Sequence, residues 1–461
     1  MATYNFYVDG DNGNDDYSGS SVSLRWSGTL TSDIVGKRLT RGGGDDAFVE
    51  GAPGVGNVSV GDFVRFDPGG GDDANVRVTN IGDPFVDVVD SVGNTLTKAA
   101  NIGGMFASIQ SADDNIPNAV VGTSVDADVD IYVRALDGGA AYTPGAILTF
   151  DNNTSAYYRR IIGWADDWNL GGWQTDGTLH GPIIDFGGAN NWYVSFPSAG
   201  GDRYMFMNFE VRNTNTTATS TGIIDTGSSA NGVIIMNCKI HDNQNGQAVS
   251  LEGSGDWLIA CDITDYKNIG VYCAYGRLLG CRVHTNAGVI FPPIELRNDA
   301  AALYCVVEDV TGLHASYGAI RMAASGAFIV GCTVHSCNQG ITDNSGVYGQ
   351  AVINSISTGS DANEGLVCQY GAMLLGVAYN SKTGPTTTMQ PIPDEDILLQ
   401  IAAVTDEIMG IGSGVFNAGW MELLPMSLRA ECFATMGAHK RKILPPALRA
   451  GAYANIGQSV I

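Results

Sequence analysis

The sequence predicts an all-β chain organised as a right-handed parallel β-helix with about three short strands per coil. Three observations carry that prediction. One slot recurs with an apolar residue two before it and another two after it, as in Met236-Asn-Cys-Lys-Ile240 and Leu279-Gly-Cys-Arg-Val283. It holds Phe209, Cys238, Cys261, Cys281, Cys305, Cys332 and Ser355, at intervals of 29, 23, 20, 24, 27 and 23 residues. Self-similarity at roughly 20–50 residues marks a solenoid or array. After the slot comes a small residue followed by an aliphatic one: Gly222-Ile223, Ala248-Val249, Gly270-Val271, Ala319-Ile320, Gly340-Ile341 and Gly365-Leu366. A turn and a short apolar run then close the period, as in Asp256-Trp-Leu-Ile259 and Gly326-Ala-Phe-Ile-Val330. Each period thus carries three short runs with inside/outside alternation, punctuated by Gly, Asn, Asp and Ser. The repeats lack helical spacing, which disfavours ankyrin, tetratricopeptide and leucine-rich arrays. Like residues stacked coil on coil describe a parallel β-helix.

The elements follow in chain order. Residues 1–28 read as the N-terminal cap of the β-helix, with a strand at Phe6-Tyr-Val8 and an acidic turn from Asp9 to Asp16. Residues 29–104 read as a small inserted β module, with strands at 63–66, 76–78 and 85–89. Residues 105–116 read as one amphipathic helix with Phe106, Ile109 and Ile116 on a face, placed to plug the open end of the solenoid. Coils occupy the rest of 105–381, most clearly from about residue 204. Residues 382–461 read as a partly helical capping or association region. Its helices run from Asp394 to Met409 and from Pro425 to Met436, and its basic cluster His439-Lys-Arg-Lys442 reads as a solvated loop, with a phosphate or carboxylate site as the alternative.

Composition narrows the setting. Glycine numbers 61 of 461 residues, about twice its usual share, as a fold made of turns requires. The net charge of −24 argues against nucleic acid and anionic membrane as partners. No run of apolar residues is long enough to insert in a membrane. The opening Met-Ala-Thr-Tyr-Asn-Phe has neither the basic nor the apolar part of a secretory signal, so synthesis in the cytoplasm is expected. The nine cysteines lack zinc spacing and C-x-x-C pairs. The five in the slot are expected to form a reduced, buried ladder, leaving Cys273, Cys337, Cys368 and Cys432.

The order of parts resembles the pectin-lyase-like right-handed β-helix superfamily. The resemblance rests on the opening Phe6-Tyr-Val-Asp-Gly-Asp-Asn-Gly-Asn-Asp-Asp16 with Ser18-Gly-Ser20, on Ala107-Ser-Ile-Gln110, on Asp130-Ile-Tyr-Val133 and on the Gly-punctuated coils. It covers about 1–28 and 105–380. The fold hosts lyases, hydrolases, epimerases, adhesins and phage tailspikes, so it does not name a reaction. The nearest kind is a bacteriophage tailspike or other virion-surface β-helix. That kind implies a homotrimer, contact with other virion proteins, a host surface glycan as ligand and a virion location, with or without depolymerase activity. One departure is expected: that kind usually carries a separate N-terminal attachment domain, whereas here the β-helix cap reads from residue 4, so attachment is expected through the 30–100 module or the C-terminal region. The alternatives are a stand-alone polysaccharide lyase or hydrolase, or a non-catalytic structural or decoration protein of a virion.

If the slot points inward, the residues one and three after it point outward. The first outward column is then Glu210, Lys239, Asp262, Arg282, Val306, Thr333, and the second Arg212, His241, Thr264, His284, Glu308, His335. Asp242, Asp265 and Asp309 lie at the adjoining turn. Glycan hydrolysis needs two carboxylates, one protonated and one ionised, a few ångströms apart. Asp242/Asp265 and Glu308/Asp309 are the candidate catalytic pairs, with His241 and His284 as candidate acid, base or binding groups. Arg282 beside Asp262 or His284 is the only hint of uronate elimination. The competing reading is that such columns stabilise stacked strands or pack between subunits. On the next sheet, Ser250, Tyr272, Glu295, Arg321 and Thr342 form a further outward column, with Glu295–Arg321 as an expected ion pair. Tyr272, Tyr275 and Trp257 there, and Trp164, Trp168, Trp173, Trp192 and Tyr193 on the early coils, are candidates for stacking on sugar rings. Asp9, Asp11 and Asp15 in the acidic turn are candidate Ca2+ ligands, with a solvated turn as the alternative.

Overall fold

The computed structural model describes residues 3–378 apart from 51–56, 119, 121, 154–156, 169–170, 174–177, 189–192, 198–202, 214–222, 229–231, 244–245, 285–289, 315–316, 344–350, 359–365 and 368–372. Trp192, Cys368, Cys432, the expected C-terminal helices and the basic cluster at 439–442 lie outside the described residues.

The coil path is a right-handed parallel β-helix. Parallel crossovers within one sheet take that hand almost without exception. Each coil contributes two consecutive strands to a 19-stranded sheet and a third to a nine-stranded sheet. In one coil these are Ile234–Met236, Lys239–His241 and Val249–Leu251. In the next they are Trp257–Ile259, Asp262–Ile263 and Val271–Cys273. Pairing between successive coils is parallel throughout. Thr3–Val8 begins the stack against Asp128–Arg134.

A single residue in the left-handed region bends the chain between the first two strands of a coil. The corner residues are Asn208, Asn237, Ala260, Gly280, Tyr304 and Gly331, with φ between 50 and 66°. A non-glycine residue there costs about 1–2 kcal/mol. Coil-to-coil hydrogen bonds offset it. The corner N–H groups of Asn237, Ala260, Gly280 and Tyr304 donate to Ile259, Leu279, Leu303 and Val330. Asn237 Nδ2 also donates to Asn208 Oδ1 at 2.6 Å.

The corner turns the following residue inward, which is the repeating slot. Cys238, Cys261, Cys281, Cys305 and Cys332 are buried and free, as are Cys273 and Cys337. Ser355 continues the column, its hydroxyl accepting from Cys332 N at 3.1 Å. Phe209 begins it, stacked on Phe206 at 4.2 Å. Burial pushes the Cys261 and Cys281 thiols well up, so they stay protonated.

Helix α1 spans Ile109–Asn115 and is shorter than the periodicity predicts. Strand pairing takes the preceding residues. Phe106 bridges to Val8, donating its N–H to Tyr7 O and accepting from Asp9 N, both at 2.9 Å. Phe106, Ile109 and Ile116 all enter the main core. Six strands, Leu24–Ser32, Arg38–Arg41, Phe63–Phe66, Ala74–Gly82, Phe85–Val88 and Thr97–Gly103, form a closed antiparallel barrel. Its own core includes Trp26, Leu30, Phe66, Val78 and Ile102. Phe63 joins the barrel to the β-helix by packing edge-on against Phe6 at 5.0 Å. No helix among the described residues is long and apolar enough to cross a membrane.

Candidate functional site

The strand register sets the outer face of the second strands. Glu210, Lys239, Asp262, Arg282, Val306 and Thr333 are aligned on successive coils. Arg212 aligns with His241, and His284 with Glu308 and His335. Neighbours along a column stand one strand spacing apart, about 4.8 Å.

These columns are largely neutralised by their own members. Arg212 reaches Asp185 at 2.9 Å and Glu210 at 3.0 Å. His241 Nε2 lies 3.2 Å from Glu210 Oε1, and Lys239 Nζ 3.7 Å from its other oxygen. The His241 contact, with Lys239 and Arg212, holds the Glu210 carboxyl below its ordinary range. Lower in the stack, His284 Nε2 lies 3.0 Å from Asp262 Oδ1, and Arg282 Nε donates to Glu308 at 2.6 Å. Arg282 also approaches Asp262 at 3.8 Å.

The turn aspartates have a conformational role. Asp242, Asp265 and Asp309 adopt φ of 59, 51 and 55°. Short polar side chains tolerate that region best. All three are exposed. His241 Nδ1 lies 2.7 Å from Asp242 Oδ2. Asp265 and Asp309 use their backbones to continue the coil ladder, toward Asn243 and His335. Of the two expected catalytic pairs, Glu308 is committed to Arg282, and the three aspartates are corner residues at the rim of the face.

The acidic N-terminal turn gives its carboxylates other partners. Asp9 is buried, accepts from Asp11 N at 2.9 Å and faces Arg134 Nη1 at 3.2 Å. Asp11 accepts from Asp137 N at 2.9 Å and approaches Arg134 at 3.5 Å. Asp15 accepts from Ala107 N and Ser108 N, both at 2.9 Å, clamping the start of α1. Asp9, Asp11 and Asp15 therefore do not converge at metal-ligand spacing.

The early aromatic residues do converge. Trp164 packs on Tyr132 at 4.9 Å and on Trp168 at 6.1 Å, and Tyr7 reaches Tyr132 and Trp168 at 5.6 and 5.8 Å. All four are half-buried, and the Tyr7–Trp168, Tyr132–Trp164 and Trp164–Trp168 contacts are edge-to-face. Their rings largely serve one another.

The outer face of the nine-stranded sheet holds residues that sequence reasoning missed. Its column runs Ser195, Asp225, Ser250, Tyr272, Glu295, Arg321, Thr342. Glu295 is buried between Arg297 at 2.8 Å and Arg321 at 3.1 Å, the latter the expected ion pair. The Arg297 guanidinium lies 5.1 Å from the Tyr272 ring centre. Asp225 differs. It forms no salt bridge among the described residues, and burial, with the Glu252 charge adding, pushes its carboxyl up to about 7. Glu252 sits on the next coil, two residues beyond Ser250, and half-buried Tyr193 senses the Asp225 charge. The signal for Asp225 was present but displaced by one. Gly222-Ile223 was aligned with Ala248-Val249, whereas the register pairs Ile224 with Val249. A slip of one residue exchanges inside and outside.

No protein-family model matches the sequence, and no curated protein is detectably similar to it. Solved structures with a similar coil path include an alginate lyase from Paenibacillus sp. str. FPU-7, at 15% identity over 56% of this chain and 93% of that one, with TM-score 0.32. ORF18 of Geobacillus virus E2 matches at 11% identity over 61% and 58% of the two chains, with TM-score 0.34. Pectate lyase Pel9A matches at 13% identity over 61% and 74%, also with TM-score 0.34.

Proposed function

We propose that this chain is a virion spike- or tail-fibre-like protein that recognises a host surface polysaccharide along the outer faces of its β-helix. The observation that carries the reading is the outer column of charged residues Glu210, Lys239, Asp262 and Arg282 at strand spacing on successive coils, with half-buried Tyr272 on the outer face of the nine-stranded sheet. A polymer of regularly spaced hydroxyl and acidic groups meets a matching row of donors, acceptors and ring faces there. Recognition is favoured over chemistry on the second-strand face, because Glu210, Asp262 and Glu308 all lie against arginines. The virion reading is supported by the seven free, buried cysteines. They suit a protein folded where thiols stay reduced and active afterwards at a cell surface. Homotrimer formation and contact with other virion proteins belong to the same proposal.

Asp225 favours a second reading, in which the spike also cuts its glycan. A carboxyl held near neutrality with a second acidic residue, Glu252, beside it is the kind of carboxyl pair that glycoside cleavage uses. The test is turnover of bound polysaccharide by wild type and by D225N and E252Q. Cleavage lost in both with binding retained supports the depolymerase. Binding without cleavage in wild type leaves recognition alone.

A further inference from the structure

We propose that Asp113, Asp114 and Asp151 form a Ca2+ site that ties helix α1 to the first coil. One carboxylate oxygen from each lies within 4.8 Å of those of the other two. Asp113 and Asp114 belong to α1, and Asp151 follows the strand Leu148–Thr149 on the first coil. Three carboxyl groups at that spacing form an oxygen cluster of the kind that a hard cation occupies.

Arg159 offsets only part of the charge, and its geometry is already committed. Its Nη1 donates to Asp113 Oδ1 at 2.8 Å and to Asp113 O, while Nη2 donates to Ile116 O and Pro117 O. Tyr204 OH also donates to Asp113 Oδ1 at 2.8 Å. The second oxygen, Asp113 Oδ2, is buried and accepts no hydrogen bond, in a residue that is 0% exposed. A buried carboxyl oxygen without a donor is costly and rare. A metal ion in the cluster gives it the partner that the protein does not.

The neighbouring groups orient the remaining ligands. Gln110 Nε2 donates to Asp114 Oδ1 at 2.8 Å, and Asn152 Nδ2 donates to the same atom at 3.3 Å. That arrangement fixes the orientation of the Asp114 carboxylate. The donor set is oxygen only, which selects a hard cation. Asp114 and Asp151 are exposed, so water can complete the shell. Asp114 also lines a cavity of about 310 Å³ between α1 and the barrel, shared with Asp73 and Asp90, which gives an ion access. Irregular carboxylates with open solvent suit Ca2+, which accepts varied geometry, better than Mg2+, which demands a near-ideal octahedron.

The test uses the full chain, stripped with chelator, in 0.1 M KCl to suppress diffuse binding to an acidic surface. Tb3+ is titrated with excitation of tyrosine, since Tyr204 contacts Asp113 directly. The expected result is saturable emission at one ion per chain, displaced by Ca2+ and much less by Mg2+. Emission should weaken at least tenfold in apparent affinity in D114N and in D151N, and stay unchanged in D11N. Ca2+ should also raise the thermal midpoint of wild type and not of those two variants, whose substituted side chains are exposed. Emission that survives both substitutions, or falls equally in D11N, overturns the site. Equal displacement by Mg2+ overturns the assignment to Ca2+.

Discussion

A carboxyl held near neutrality couples its proton to the stability of the coil that carries it. The folded Asp225 carboxyl is raised to about 7 by burial, against about 3.9 when unfolded. The folded state therefore binds the extra proton, and its contribution is fully present below the unfolded value. It is lost as pH rises through about 7. A shift of that size corresponds to on the order of 4 kcal/mol. In D225N the advantage over wild type in urea unfolding should grow between about pH 4 and pH 8 and then level off. Parallel stability profiles for the two proteins would rule this environment out. Burial also separates two arginines. Arg159 and Asp113 are almost wholly enclosed, whereas the Arg282 side chain is 53% exposed. R159A should cost about 3–5 kcal/mol by stranding a buried carboxylate. R282A should cost less than about 1 kcal/mol, as exposed pairs do. Equilibrium unfolding of both variants distinguishes the two cases.

At the scale of the element, the inward cysteine column follows from the corner that precedes it. The seven described cysteines are all buried, so a thiol reagent should titrate none of them in the native protein. At most Cys368 and Cys432 should react before denaturant is added. Rapid reaction of more than two thiols contradicts the ladder. The column, its continuation in Ser355 and the outward columns of the second strands were legible because inside/outside alternation has a fixed period of two. Asp225 was not, because Ile223-Ile224 offers two adjacent apolar residues and periodicity cannot say which one aligns with Val249. The length of α1 was illegible for another reason. Phe106 fits a helical face, but its N–H and C=O are taken by Tyr7 and Asp9, nearly a hundred residues earlier in the chain. The carboxylates of Asp9 and Asp15 resemble calcium ligands in sequence. Their partners Arg134 and the start of α1 are brought to them only by the fold. The same holds for Glu308, whose partner Arg282 sits on the preceding coil.

At the scale of the whole molecule, the proposed spike has consequences for assembly and for ligand. Light scattering should give about three times the 48.3 kDa of one chain, stable to dilution. A mass of one chain would favour a stand-alone polysaccharide protein. The most direct measurement is binding of the purified wild-type protein to an immobilised set of bacterial surface polysaccharides. Tyr272→Ala and Arg282→Glu variants, shown to be folded, are measured alongside. The proposal predicts tight binding to one or a few related polysaccharides, weakened at least tenfold by one or both substitutions. No binding across the set, or binding indifferent to both, would contradict recognition through the outer faces of the β-helix.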